Sequence, residues 1–125
     1  MNLEKVRAGF FIILAMTLNF GFFYGDIGLI EQHDKYELLA AIVINLIATI
    51  LKLGDRTQMG SVLLATSLVA DIQLIAAATI WTIAAYTSSM NPSIVVIIVS
   101  LSGGALLANI TSVILYVGDT VKSKR

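Results

Sequence analysis

Asp71 lies inside a long apolar run from Met59 to Tyr86, where a carboxylate asks for a reason. A charged side chain at the centre of a membrane helix costs roughly 2.5 to 3.5 kcal/mol on insertion scales, so such a residue normally faces protein or water and is a functional candidate. Its chemistry is narrow: it takes up and releases a proton, or it holds a cation. Gln73 follows on the same run, and Asn19, Asn45 and Asn109 sit near the middle of the other apolar stretches. A carboxylate among amide oxygens is a donor set for K⁺, Na⁺ or H⁺, and these five residues form the candidate ion-binding or translocation route. Interhelical hydrogen bonding, worth about 0.6 and up to 1.7 kcal/mol per contact in membranes, is the plainer role for the asparagines. Structural bonding does not require a carboxylate, which sets Asp71 apart.

The elements that must position these residues are helices. With 58% hydrophobic and 13% charged residues and a mean hydropathy of +0.90, the chain is too apolar for an ordinary soluble domain, in which about a quarter of residues are charged. Four stretches are long enough for the roughly 20 apolar residues that cross a hydrocarbon core: about 6–25, 36–53, 56–86 and 93–117. They are continuously apolar, whereas barrel strands alternate, so the spans are expected to be helices. Short loops make sequential helices antiparallel neighbours. The expected fold is all-α, an up-down four-transmembrane-helix bundle forming one domain over 1–125. No room remains for a soluble catalytic or nucleic-acid-binding domain. The first span is too long for a cleavable signal's apolar core and lacks a cleavage site, so it is expected to stay. The absence of cysteine excludes disulfides and thiolate chemistry.

Basic residues are distributed unevenly. Lys5, Arg7, Lys52, Arg56, Lys122, Lys124 and Arg125 fall on one side and Lys35 on the other, which favours both termini in the cytoplasm. The first loop would then face outward with Asp26, Glu31, Asp34 and Glu37. Those acids form either a vestibule that concentrates cations above Asp71 or a solvated loop. His33 among them is weak evidence for a metal site, and no metal or cofactor is expected.

Asp34 with Glu37, and Asp55 with Gln58, resemble capping boxes. Asn91 before Pro92 fits a helix start, and Gly54 and Gly118 fit helix ends. Asn45 to Asp55 aligns without gaps on Asn109 to Asp119, and Ile13 to Leu18 resembles Leu63 to Leu68. Two similar parallel hairpins would result, related by an axis along the membrane normal. Ser100, Gly104, Ala108 and Ser112 form a small-residue stripe that favours close packing, and Ala41, Asn45, Ala48, Thr49 and Lys52 share one helical face. Tyr24, Tyr36, Trp81, Tyr86 and Tyr116 fit interface anchors or packing residues.

At about 100° per residue, Asp71 and Gln73 point about 200° apart. Both directions need cover, and one of them is expected to face a second subunit, most simply in a homodimer. No Lys, Arg or His is expected at the depth of Asp71, so the carboxyl must be protonated, hydrated or paired with a transported cation. Nor do the serines have an evident Lys or His partner. With no phosphate-binding loop, zinc motif or nucleophile elbow, an enzyme is not expected. A potassium-filter sequence is also absent.

Leu51-Lys-Leu-Gly-Asp-Arg-Thr-Gln58 and Ser67-Leu-Val-Ala-Asp-Ile-Gln-Leu74 resemble segments of an uncharacterised family of small bacterial four-helix inner-membrane proteins. That resemblance implies no activity. The expected function is a small oligomeric membrane protein that conducts or transports a cation past Asp71, in contact with the lipid bilayer. The alternative is an accessory or assembly subunit whose polar mid-membrane residues dock a larger membrane-protein partner.

Overall fold

The computed structural model describes residues 1–123, without the side chain of Ser123. Lys124 and Arg125, counted above in the charge bias, lie outside the described residues. Four helices account for nearly all of the described chain: α1 (Leu3–Phe23), α2 (Lys35–Lys52), α3 (Gln58–Tyr86) and α4 (Pro92–Ser123). Sequential helices pack against one another, and α4 closes back on α1. The result is an antiparallel up-down bundle whose basic end carries both ends of the described chain and the α2–α3 connection. Its acidic end carries residues 24–34 and the α3–α4 turn.

Three of the helices, α1, α3 and α4, are long and apolar enough to cross a membrane. The 18 residues of α2 include Lys35, Glu37 and Lys52, and at about 1.5 Å per residue it falls slightly short of a hydrocarbon core of about 30 Å. Large apolar side chains such as Phe10, Val43, Ile72 and Leu107 point away from the bundle. A helix bundle apolar on its outside as well as in its core suits lipid rather than water.

Local chemistry explains most helix limits. The Asn2 side chain accepts from Glu4 N and Lys5 N at the start of α1, and Asp34 accepts from Tyr36 N at the start of α2. Asn91 Oδ1 accepts from Ile94 N, and α4 begins at Pro92 as expected. The start of α3 differs from expectation. Thr57 is its cap, accepting from Gly60 N, while Asp55 supports Thr57 by accepting from both its hydroxyl at 2.7 Å and its backbone N–H at 2.9 Å. Those bonds, the hydroxyl's first, hold the Asp55 carboxyl below the usual range.

Gly54 and Gly118 were the expected helix ends, but neither adopts the left-handed conformation that favours glycine. α4 runs through Gly118 to Ser123, because one glycine costs a helix only about 1 kcal/mol. The left-handed glycine is Gly25, at φ +122° beyond α1.

The core is built from Phe22, Leu38, Ala41, Ala70, Leu74, Ala77, Ile98 and Ala105, contributed by all four helices. Phe22 anchors its acidic half, with its ring centroid 5.8 Å from that of Trp81. Tyr24, Tyr36 and Tyr86 are exposed around the same end, where interfacial tyrosines belong.

The two aligned segments occupy comparable places. Asn45 and Asn109 are both buried. At the next aligned pair of large polar positions, Lys52 crosses from α2 to α3, while Tyr116 crosses from α4 to α1 and donates to Lys5 O at 2.6 Å.

Asp71 and Gln73 also diverge as the helical angle requires, but both are covered within one chain. Asp71 meets Thr49 of α2. Gln73 lies over Gly104 of α4, where a Cβ would stand only 2.5 Å from its amide nitrogen. The pair therefore does not call for a second subunit, and that premise for a dimer is removed. Gly104→Leu should force α3 and α4 apart at Gln73 and destabilise the fold by about 1–3 kcal/mol, the usual range for overpacking. Unfolding in detergent, compared with Ala108→Leu on the same stripe, would measure it.

Candidate functional site

At the basic end the bundle opens into a cavity of about 300 Å³, lined by residues that include Lys5, Arg7, Lys52, Asp55 and Tyr116. Lys52 forms part of its inner wall. Its side chain is only 7% exposed, and its ammonium donates to Ser67 Oγ of α3, to Ser112 Oγ of α4 at 2.7 Å and to Leu63 O at 3.3 Å. An ammonium has three hydrogens, and three oxygens receive them. Lys52 thus corrects two expectations: a lysine does lie within the bundle interior, and two serines do have a lysine partner.

One helical turn beyond Ser67, on the same face of α3, is Asp71. It is 5% exposed. Thr49 of α2 contacts its Oδ2 at 2.6 Å and the backbone oxygen of Asn45 at 2.8 Å, while Asp71 Oδ1 is buried with no hydrogen-bond partner. Lys52 and Asp71 interact electrostatically, but the hydrogen bonds of Lys52 go to the serines and the Leu63 carbonyl. Lys52 bonds to Ser67 and Asp71 to Thr49, with no hydrogen bond between Lys52 and Asp71 themselves.

Asn109 lies one turn from Ser112 in the direction that leads away from the basic end, at the level of Asp71. Its Nδ2 is buried without a partner. Asn45 donates to Ala41 O at 3.0 Å, and its Oδ1 is left unpaired. Gln73 Oε1 is likewise buried and unpaired. Asn19 lies further towards the acidic end, where it joins α1 to α4 through Ser102 O at 3.2 Å, again with an unpaired Oδ1.

The five expected interior residues thus face the bundle at successive depths. Thr49 links Asp71 to the Asn45 backbone on α2, and Asn109 lies on α4 at about the level of Asp71 with its Nδ2 bonded to neither. Gln73 and Asn19 lie beyond them. Buried polar atoms normally find partners, and each one that does not marks a place for a water, an ion or a strain. Five such atoms on consecutive levels form a ladder rather than a single defect.

The acidic residues do not join it. Asp26 accepts from Gly28 N, Asp34 caps α2, Glu31 is exposed, and the Glu37 carboxylate packs against Gly21 of α1. Between them and Asp71 lie Phe22, Leu38, Leu74 and Ile98, each 2% exposed or less. Lys52 separates the polar ladder from the basic cavity, and apolar side chains close it towards the acidic end.

The serine–lysine contacts lack the remaining parts of a hydrolytic site. Ser67 and Ser112 are 1% exposed and sit inside helices, where backbone N–H groups serve the helix and none is free to hold an oxyanion. Among the described residues no group of three or more His, Cys, Asp or Glu side chains is arranged to hold a metal.

Residues missed at first are Lys52, Thr49, Ser67 and Ser112 as parts of one cluster. The spacing did contain them: Asn45, Thr49 and Lys52 share a face, as do Ser67 and Asp71, four residues apart.

Residues 32–120 match a family of unknown function. No curated protein and no solved structure matches the chain.

Proposed function

The chain belongs to that family, DUF6394, which brings no activity with it, and from the geometry we propose a non-enzymatic membrane protein that moves a cation past Asp71, with the proton as the cation. In this reading all four helices cross a bacterial inner membrane with both termini in the cytoplasm, α2 included because α1 and α3 flank it. The basic cavity is the cytoplasmic mouth.

The observation that carries the proposal is the buried Asp71 carboxyl, bonded to Thr49, with its second oxygen unpaired and Lys52 between it and the cavity. Lys52 supports the proton over metal ions. Its ammonium disfavours a bare metal ion nearby, and Na⁺ or K⁺ would need a cage of oxygens, whereas a proton is taken up as one covalent O–H bond that leaves the carboxyl neutral. Closure of the acidic half supports a gated carrier over a standing pore: the apolar residues must part for an ion to pass.

Flux into proteoliposomes holding this protein alone tests the reading. A pH gradient should collapse faster than in empty vesicles, Asp71→Asn should remove the difference, and K⁺ or Na⁺ gradients without a pH gradient should be unaffected. No proton flux in either protein would reject transport and favour the accessory-subunit reading, in which the protein co-purifies with a membrane partner.

A further inference from the structure

His33 is the one histidine of the chain, and the polar ladder does not use it. It lies at the other end of the bundle, 4% exposed, with Nδ1 2.7 Å from Phe22 O and Nε2 2.8 Å from Asp26 O. Neither carbonyl oxygen carries a hydrogen. Each contact therefore needs an N–H from the ring, and a neutral imidazole has only one, whereas the imidazolium has two. With the neutral ring, one nitrogen would turn a lone pair towards a carbonyl lone pair in a site that water scarcely reaches.

We propose that His33 is a protonation-dependent latch: as imidazolium it fastens residues 24–34 across the acidic end of the bundle, and loss of its proton releases them. The proposal stands on this loop's geometry and does not require Asp71 to transport an ion.

What the latch holds is well defined. Phe22 O is among the last carbonyls of α1, which have no partner within the helix, so His33 supplies an end cap from outside. Asp26 O belongs to the loop proper, where it also accepts from Leu29 N at 3.2 Å. One ring thus ties the end of α1 to the middle of the loop. Gln32, next to it, secures the same turn, with Oε1 accepting from Asp26 N at 2.6 Å. The turn depends on Gly25 at φ +122°, where a Cβ would stand 3.0 Å from Gln32 O.

The ring also touches the closure of the bundle. Its centroid is 5.5 Å from that of Phe22, which in turn packs on Trp81. Fastening the loop therefore holds in place the side chain that seals the acidic half.

The surrounding charges are all on the same segment. They are Asp26, Glu31, Asp34, Lys35 and Glu37, with Tyr24 and Tyr36 as further titratable groups. From α3 and α4 nothing charged faces it, since no Asp, Glu, Lys, Arg or His occurs from Ile72 to Gly118, and Tyr86 is the one titratable side chain those helices place at this end. A metal role is set aside by the same contacts, because both ring nitrogens are already committed to carbonyls.

A closed state that needs a proton is lost when that proton is removed. The test is nitrogen NMR on the full chain labelled with ¹⁵N-histidine in lipid nanodiscs, with amide exchange of residues 24–34 followed in parallel from acid to alkaline pH. The single histidine makes the signal unambiguous. Both ring nitrogens are expected to be protonated wherever the loop amides are protected. When the ring loses a proton, amide exchange corrected for its intrinsic pH dependence should accelerate about tenfold, as for loss of one hydrogen bond. His33→Gln should exchange fast at every pH, and Asp26→Asn, Glu31→Gln and Asp34→Asn should each keep the wild-type profile. A neutral ring beneath a still-protected loop would overturn the proposal, as would a pH step that survives His33→Gln or disappears with one of the carboxylates. The wild-type nitrogen spectrum decides the matter even where the variant fails to fold.

Discussion

Replacing Lys52 with methionine is expected to destabilise the bundle by about 1–3 kcal/mol for each buried acceptor left unsatisfied. Methionine keeps most of the length and apolar stem but leaves Ser67, Ser112 and Leu63 O without the ammonium that joins α2 to α3 and α4. It also leaves Asp71 with no cation in the interior. The two losses are separable. Lys52→Met combined with Asp71→Asn should be less destabilised than the sum of the single variants, with a coupling of about 0.5–3 kcal/mol as found for residues in one polar network. Unfolding of all four proteins in the same detergent supplies the cycle. Strict additivity would show that Lys52 serves only the serines, and the charge-based preference for a proton at Asp71 would lose its support.

Lys52 also shows where sequence reasoning stopped. As the last residue of α2 it counts, by position, among the basic charges at the membrane surface. Helical side chains, however, lean towards the N-terminus of their own helix, and for α2 that direction is into the bundle. Four methylenes then carry the ammonium inward to the level of Ser67 and Ser112. The apolar runs gave the helices because periodicity and length are local properties, and Asp34, Asn91 and Pro92 marked helix starts because a cap acts within one turn. The Asp71 and Gln73 directions were also correctly deduced. What neighbours would cover them was not, because a long amide reaching across Gly104 depends on a residue of another helix. The His33 bonds depend likewise on the path of a whole loop, to which spacing gives no guide.

Phe22→Ala is expected to have the second large effect. Phe22 is fully buried between His33 and Trp81, and removing a core phenylalanine typically costs about 3–5 kcal/mol through lost contacts and the cavity left behind. The cavity would lie in the apolar layer that separates the polar ladder from the acidic end. Asn19, three residues earlier on α1, already holds a buried Oδ1 without a partner, so water entering the vacated space would find a polar atom to stabilise it. Proteoliposomes of Phe22→Ala should therefore lose a pH gradient faster than wild type. Combining it with Asp71→Asn separates two origins of that leak. If the carboxyl is the obligatory carrier, the double variant returns to the rate of Asp71→Asn alone. A leak that persists without Asp71 would mean that water crosses beside the carboxyl, and the apolar layer would then be a barrier to permeation in general, not the gate of a route through Asp71.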